Sequence, residues 1–429
     1  MSSNTKTRGA MEDSKPALVP KLRFPEFRGA EAWMEQAGDA LFDQIKERNP
    51  EPGLPVLAIT QEHGAIPRNL IDYHVSVTEK SIESYKVVRA GDFIISLRSF
   101  QGGIEYSRYH GICSPAYVIL RSRHKGAAEY FRHYFKTERF IRILTKNLEG
   151  LRDGKMISYA QFSELLISVP SLPEQQRIAE CLSSADDLIA AQKRKLDALK
   201  THKKGLMQEL FPREGETQPR RRFPEFQNAG EWNTHPFEDF VVKSFYGTSS
   251  STSPTGKYPV LRMGNMSDGG LDFTNLVYID LDPNSFKSFR LEDGDILLNR
   301  TNSPALVGKI SLFRLKSECI TASYIVTYRL NKKRIDPSFC NFMLNTPLYQ
   351  ARIKKLAKPS ISQANINPTT FKKEIIVSVP AVPEQQRIAD CLTTLDDLIA
   401  AQTQNLETLK THKKGLMQQL FPAPAEVEA

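Results

Sequence analysis

The chain has 429 residues, a net charge of +9 and a pI near 9.1, with 40% hydrophobic and 25% charged residues. That is the balance of an ordinary globular protein, and the length suits two to four domains. No run approaches the roughly 20 apolar residues of a membrane-spanning helix, the N-terminus has no apolar secretory core, and the five cysteines show no CxxC spacing. A membrane span, a secretory signal, a disulfide scaffold and a cysteine-rich zinc site are thereby excluded, and a reducing cytoplasm is the expected location. The basic excess points to a polyanion, either nucleic acid or an anionic membrane face.

In chain order, residues 1–22 form a polar lead, expected to be disordered or to lie near the end of the second long helix. Arg23-Phe24-Pro25-Glu26-Phe27 and Trp33 open a first block, 23–172. Within it, Gly91-Asp92-Phe93-Ile94-Ile95 reads as a turn into a strand. The polar loop Arg98-Ser99-Phe100-Gln101-Gly102-Gly103 follows, then a strand at 116–120 and a stretch dense in base and aromatic at 121–146. Residues 173–212 read as one long helix and 213–221 as a linker.

RFPEF then returns at 222–226 with Trp232, an offset of 199. The second block, 222–382, carries Gly294-Asp295-Ile296-Leu297-Leu298, the polar loop Asn299-Arg300-Thr301-Asn302-Ser303 and a strand at 324–328. Phe339, Phe342, Met343, Tyr349 and Ile353 read as one face of a helix. Residues 383–422 repeat the long helix at an offset of 210, identical at 30 of 40 positions, and 423–429 form a tail. Most of the positive excess sits in the second block, with 20 basic and 14 acidic residues. A duplicated scaffold with diverged middles suggests two related sites that recognise different things.

The repeated ending carries a heptad seam. Ile178, Leu182, Ala185, Ile189, Gln192, Leu196, Leu199, Lys203, Leu206 and Leu210 alternate spacings of four and three. Ile388, Leu392, Leu395, Ile399, Gln402, Leu406, Leu409, Lys413, Leu416 and Leu420 do the same. Both copies break the seam with Gln and Lys at the same steps, which is what two helices need to pair in one register. An antiparallel pair within the chain is expected; packing of each helix on its own globular block is the alternative. The adjacent acids Asp186-Asp187 and Asp396-Asp397 point apart on a helix and read as a solvated or partner-facing patch.

Catalytic patterns are missing. There is no GxxxxGK[ST] loop, no GxGxxG after a strand and no HExxH, and His202 and His412 read as solvent-facing. Ser114-Pro115-Ala116-Tyr117 lacks the Asn and second Pro of the amino-methyltransferase motif. A binding role is favoured. In the first block the candidate DNA contacts are Arg98, Ser99, Gln101, Arg121, Arg123, Lys125 and Lys155. In the second they are Arg262, Asn265, Asn299, Arg300, Thr301, Asn302, Lys354, Lys355, Lys358, Ser360 and Gln363. These side chains read base edges or neutralise phosphates. Any one of them can equally be a solvated turn residue; the loop pair in equivalent places favours function.

PEQQRIA-[ED]-CL and LKTHKKGLMQ-x-LFP, each present twice behind RFPEF and Trp, resemble the specificity subunit of type I restriction–modification enzymes along the whole chain. The resemblance implies a mixed α/β (α+β) fold: two target recognition domains separated by two long helices in an antiparallel coiled coil, with an internal pseudo-two-fold repeat. It implies that each block reads one half of a split double-stranded DNA site. The helices would fix the gap and dock two methyltransferase subunits, through which motor-nuclease subunits join. S-adenosylmethionine, ATP and magnesium would belong to those partners, and this chain would be non-catalytic. A coiled-coil adaptor without a DNA role, or a single-chain methyltransferase or nuclease, is the alternative.

Overall fold

A computed structural model describes residues 18–48, 52–71, 82–124, 126–146, 157–267, 269–314, 318–359 and 363–423. Residues 1–17, Lys125, Lys155 and Ser360 lie outside them. The chain forms two compact units: residues 1–193 with 405–429, and residues 194–404. Among the described residues no helix is long and apolar enough to cross a membrane.

Both units are built on the same four-stranded antiparallel sheet. In the first, the order is Phe42–Ile45, Val118–Ser122, Phe93–Ile95, Glu105–Tyr106. In the second it is Val241–Tyr246, Ile325–Leu330, Asp295–Asn299, Ile310–Phe313. A two-stranded ribbon joins the start of each block to its end: Met34–Ala37 with Leu166–Val169, and Asn233–Pro236 with Ile376–Val379. The central strands are buried on both faces, so they read as continuous apolar runs.

Gly-Asp before each central strand has a structural purpose. Gly91 and Gly294 hold positive φ (97° and 89°), which favours glycine. Asp92 then accepts the backbone N–H of Arg89 and a fork from Arg121, at 2.7 Å on both oxygens. Asp295 accepts the N–H of Glu292 and a fork from Arg329, at 3.0 and 2.9 Å. The carboxylates hold both guanidiniums above their ordinary pKa.

The long helices span Leu172–Leu210 and Val382–Leu420. Every seam position is buried or half-buried, and most of the intervening positions are exposed. Ile178, Leu182, Leu196, Ile388, Leu392 and Leu406 are buried; Ile189, Leu199, Leu206, Ile399, Leu409 and Leu416 are half-buried. In the first unit, Leu416, Met417, Leu420 and Phe421 pack into the same core as Ile178 and Leu182. In the second, Leu206, Met207, Leu210 and Phe211 join Ile388, Leu392 and Leu395. The end of one helix thus lies beside the start of the other, as in an antiparallel pair. The lysine steps are ion-paired, Lys413 with Asp186 and Lys203 with Asp396. This corrects the reading of the acid pairs as a solvated or partner-facing patch: Asp186 and Asp396 turn to the seam, and only Asp187 and Asp397 stay exposed. A charge pair at one seam step favours a single register.

The RFPEF motif latches onto the start of the following helix. Arg23 forks Glu174 at 2.8 and 2.7 Å and donates to the Ala30 carbonyl. Arg222 forks Glu384 at 2.8 and 2.6 Å and donates to the Ala229 carbonyl. The tryptophans wedge beneath: Trp33 against Tyr130 and Phe421, Trp232 against Phe339 and Phe211. Of the lead, Leu18 and Leu22 reach the first core, and the Leu22 N–H donates to Gln419 near the end of the second helix at 2.9 Å.

One helical expectation is corrected. The apolar face assigned to a single helix belongs to two, Pro337–Leu344 and Pro347–Lys355. Pro347 cannot continue the first helix, and Thr346 caps the second by accepting the Tyr349 N–H.

In the first unit His133 is buried beside Arg132 and Ser183. Burial, then the Arg132 charge, pushes its ring down to about 3. A base with a depressed folded pKa stabilises the fold fully above its unfolded value and loses that stability as pH falls. Between pH 6.5 and 4.5 this group is expected to remove about 2–3 kcal/mol. Urea denaturation of wild type and His133→Phe at both pH values checks it. An acid loss of equal size in the two proteins would exclude His133 as the source.

Candidate nucleic-acid interface

In the second unit the central strand Asp295–Asn299 runs directly into a three-stranded patch. Thr301–Asn302 pairs with Ala364–Asn365, which pairs with Lys358–Pro359. This brings Arg300, Thr301, Asn302 and Lys358 together, with the exposed Gln363 at the edge. The Arg300 backbone is pinned on both sides: its N–H donates to Tyr324 at 3.1 Å, and its carbonyl accepts from Ile366 at 2.8 Å. Its guanidinium lies 5.2 Å over the ring of Tyr246, which is 49% exposed. A stacked, pre-oriented guanidinium is suited to a flat bidentate acceptor. The Thr301 hydroxyl donates to Asn365 Oδ1 at 2.6 Å. Asn302 Oδ1 accepts from the Ser303 N–H, and its amide nitrogen donates to none of the described residues. Lys354 and Lys355 are exposed in the last turn of Pro347–Lys355.

Other candidates in this unit have different work. Asn299 is fully buried inside the sheet. Asn265 is buried and holds its own turn together, donating to the carbonyls of Asp272 and Thr274 and accepting from the Arg262 N–H. Arg262 is tied by its side chain to the Asn275 carbonyl at 3.0 Å. Asn299 and Asn265 are closed off from solvent, while Arg262 is half-buried with one guanidinium nitrogen engaged.

In the first unit Arg98 is exposed at the start of the short helix Ser99–Gly102, with Gln101 exposed and Leu97 and Phe100 open beside it. Ser99 is buried, and its hydroxyl accepts the Ser96 N–H at 2.8 Å. Arg121 is the fork on Asp92 described above, and Arg123 pairs with Asp43 at 2.8 Å. The first block therefore presents Arg98 and Gln101, while Ser99 and Arg121 are structural. Sequence reasoning missed Tyr246 and Asn365. An aromatic at the end of an edge strand and an Asn in a short hairpin carry no local signal until the strands are paired.

A family model for the type I restriction modification DNA specificity domain matches residues 37–201 and 231–411, most of the chain. The chain belongs to this family. Among its specificity-subunit relatives, the MjaVIII protein of Methanocaldococcus jannaschii is 24% identical over 364 residues, 82% of this chain and 83% of that protein. The MjaX specificity subunit of the same organism is 29% identical over 195 residues, 44% of this chain; that alignment spans 45% of the relative's length. The EcoKI specificity subunit of Escherichia coli is 21% identical over 275 residues, 63% of this chain and 59% of that protein. The crystal structure of the type I restriction-modification S subunit from M. genitalium has the same fold, with a TM-score of 0.56 at 16% identity, covering 94% of this chain and 99% of that one. A chain from a type I R-M assembly structure gives 0.53 at 16% identity, covering 91% and 98%.

Proposed function

We propose that this specificity-family chain works in the cytoplasm as the DNA-reading subunit of a type I restriction–modification complex, each block reading one half of a bipartite site. One observation carries this reading. The same sheet order recurs in two units, and at its equivalent edge one unit offers Arg98 and Gln101 while the other offers Arg300, Thr301, Asn302 and Lys358. A shared frame with unlike polar edges is what two different half-sites require. The near-identical helices then serve as the common element, fixing the gap and docking two methyltransferase subunits, with motor-nuclease subunits joining through them. The chain is non-catalytic in this scheme and holds no cofactor; S-adenosylmethionine, ATP and magnesium act in the partners.

The test is methylome sequencing of a host carrying the complex with residues 233–380 exchanged for another family member's. One half of the methylated motif should change and the other stay. A change in both halves, or in neither, defeats modular reading. The purified chain with S-adenosylmethionine alone should transfer no methyl group to DNA.

A further inference from the structure

A cavity of about 680 Å³ opens in the second unit, between residues 200–207 of the first long helix, the strand Ile310–Phe313 and the helices Pro337–Leu344 and Pro347–Lys355. Its floor is apolar, formed by Met207, Leu271, Phe273, Leu312 and Phe342. Lys200, Lys204, Lys309 and Arg314 stand around it, and among the described residues none pairs with a carboxylate, although Lys309 donates to the Met266 carbonyl at 3.3 Å and Arg314 to the hydroxyls of Ser338 and Thr393 at 3.2 and 3.1 Å. The lining acid, Asp396, is taken by Lys203. Two of the three amides that line the same space, Asn345 and Gln350, are placed alike. Their nitrogens are spent on the carbonyls of Asn341 and Leu344, both at 2.9 Å, while their oxygens accept no hydrogen from the described residues.

The first unit treats the equivalent space differently. The matching contacts Trp33–Tyr130 and Trp232–Phe339 align Arg132 with Asn341 and His133 with Phe342. Arg132 crosses the space to reach Asp186 at 3.2 Å and Ser183 at 3.1 Å, and Lys413 closes on the same Asp186. In the second unit Asn341 stays on the cavity lining and donates to the Gly269 carbonyl there at 2.9 Å, and Phe342 lies under Lys203, 5.1 Å from its ammonium. A cation that fills the space in one copy is replaced in the other by a short amide and an aromatic ring.

We propose that this cavity is a binding site for a nucleoside phosphate. The cations that meet no carboxylate match a phosphate, the apolar floor with the half-buried Phe273 matches a flat ring, and the two amide oxygens match a ring amino group. The volume falls in the range of pockets that enclose ligands of this size. The site lies apart from the Arg300 patch and requires no role in reading DNA.

Calorimetric titration of the full chain with adenosine monophosphate tests it, with uridine monophosphate and inorganic phosphate as separate arms. Saturable binding at one site per chain is expected. Uridine monophosphate, which lacks the amino group, should bind about tenfold more weakly, and phosphate alone more weakly still. Asn341→Arg, which restores the crossing cation, should abolish binding with the melting temperature unchanged. If that variant melts early, Lys204→Ala with Lys309→Ala decides by the same loss. No saturable binding of adenosine monophosphate overturns the proposal. So does binding that survives both variants, or phosphate binding as strong as that of the nucleotide. Displacement of the nucleotide by duplex DNA would reassign the cavity rim to DNA and also overturn it.

Discussion

Replacing Arg222 by alanine is expected to cost the second unit about 3–5 kcal/mol of unfolding free energy, because it leaves a buried carboxylate without its partner. The side chain of Glu384 is only 2% exposed, and Arg222 satisfies both of its oxygens. The same guanidinium also donates to the carbonyls of Ala229 and Gly230. Glu384 sits in the first turn of its helix, so the helix dipole returns part of the loss, typically below about 1 kcal/mol. Trp232 reports on this unit, and a Trp33→Phe background removes the other tryptophan signal. Urea denaturation followed by that fluorescence gives the number. Adding Glu384→Gln to Arg222→Ala should recover a large part of the stability. A loss below about 1 kcal/mol for Arg222→Ala alone would mean that the helix terminus satisfies Glu384 unaided.

On the function proposed above, Arg300→Ala is expected to weaken binding to the cognate site by about 1–3 kcal/mol, roughly fivefold to 150-fold, with a much smaller loss on unrelated DNA at the same salt. Methylome sequencing of the host gives the motif to use, and titration against cognate and scrambled duplexes supplies the ratio. Tyr246→Leu should show part of the same loss, since it removes the ring under the guanidinium without touching charge. Arg121→Ala serves as the contrast. It should destabilise the first unit by stranding Asp92 and leave the specificity ratio of the remaining folded protein unchanged. Equal losses on both DNAs for Arg300→Ala would make Arg300 a phosphate contact.

The long helices were legible because their signal is periodic: each seam position from Ile178 to Leu210 is marked by its own residue type, and burial follows that pattern. The roles of Arg23 and Arg222 were not legible. Their partners lie 151 and 162 residues away, and a guanidinium in sequence does not announce a carboxylate at that distance. The same blindness placed Arg121 among DNA contacts. It sits in a basic stretch, and only the sheet pairing brings Asp92 beneath it. The loop after each Gly-Asp strand was located correctly, yet which of its residues face outward depends on a half-turn of backbone. Ser99 rolls inward to bond Ser96, whereas Arg98 stays out.

The two units differ in how the chain is threaded through them. Residues 194–404 are continuous, so on the ribosome the second unit has all of its core once its own stretch has emerged. The first unit begins earlier but waits longer. Leu420 and Phe421 line the core that holds Trp33, Tyr130 and Tyr134, and they are made about 300 residues after Val118–Ser122. Until they arrive, that aromatic cluster has an open side facing water. The order of maturation is therefore the reverse of the order of synthesis, and the nascent first block is the segment that a chaperone has the longest time to hold. Clipping the chain within residues 405–420 would undo the block farthest from the cut in sequence and spare the one beside it.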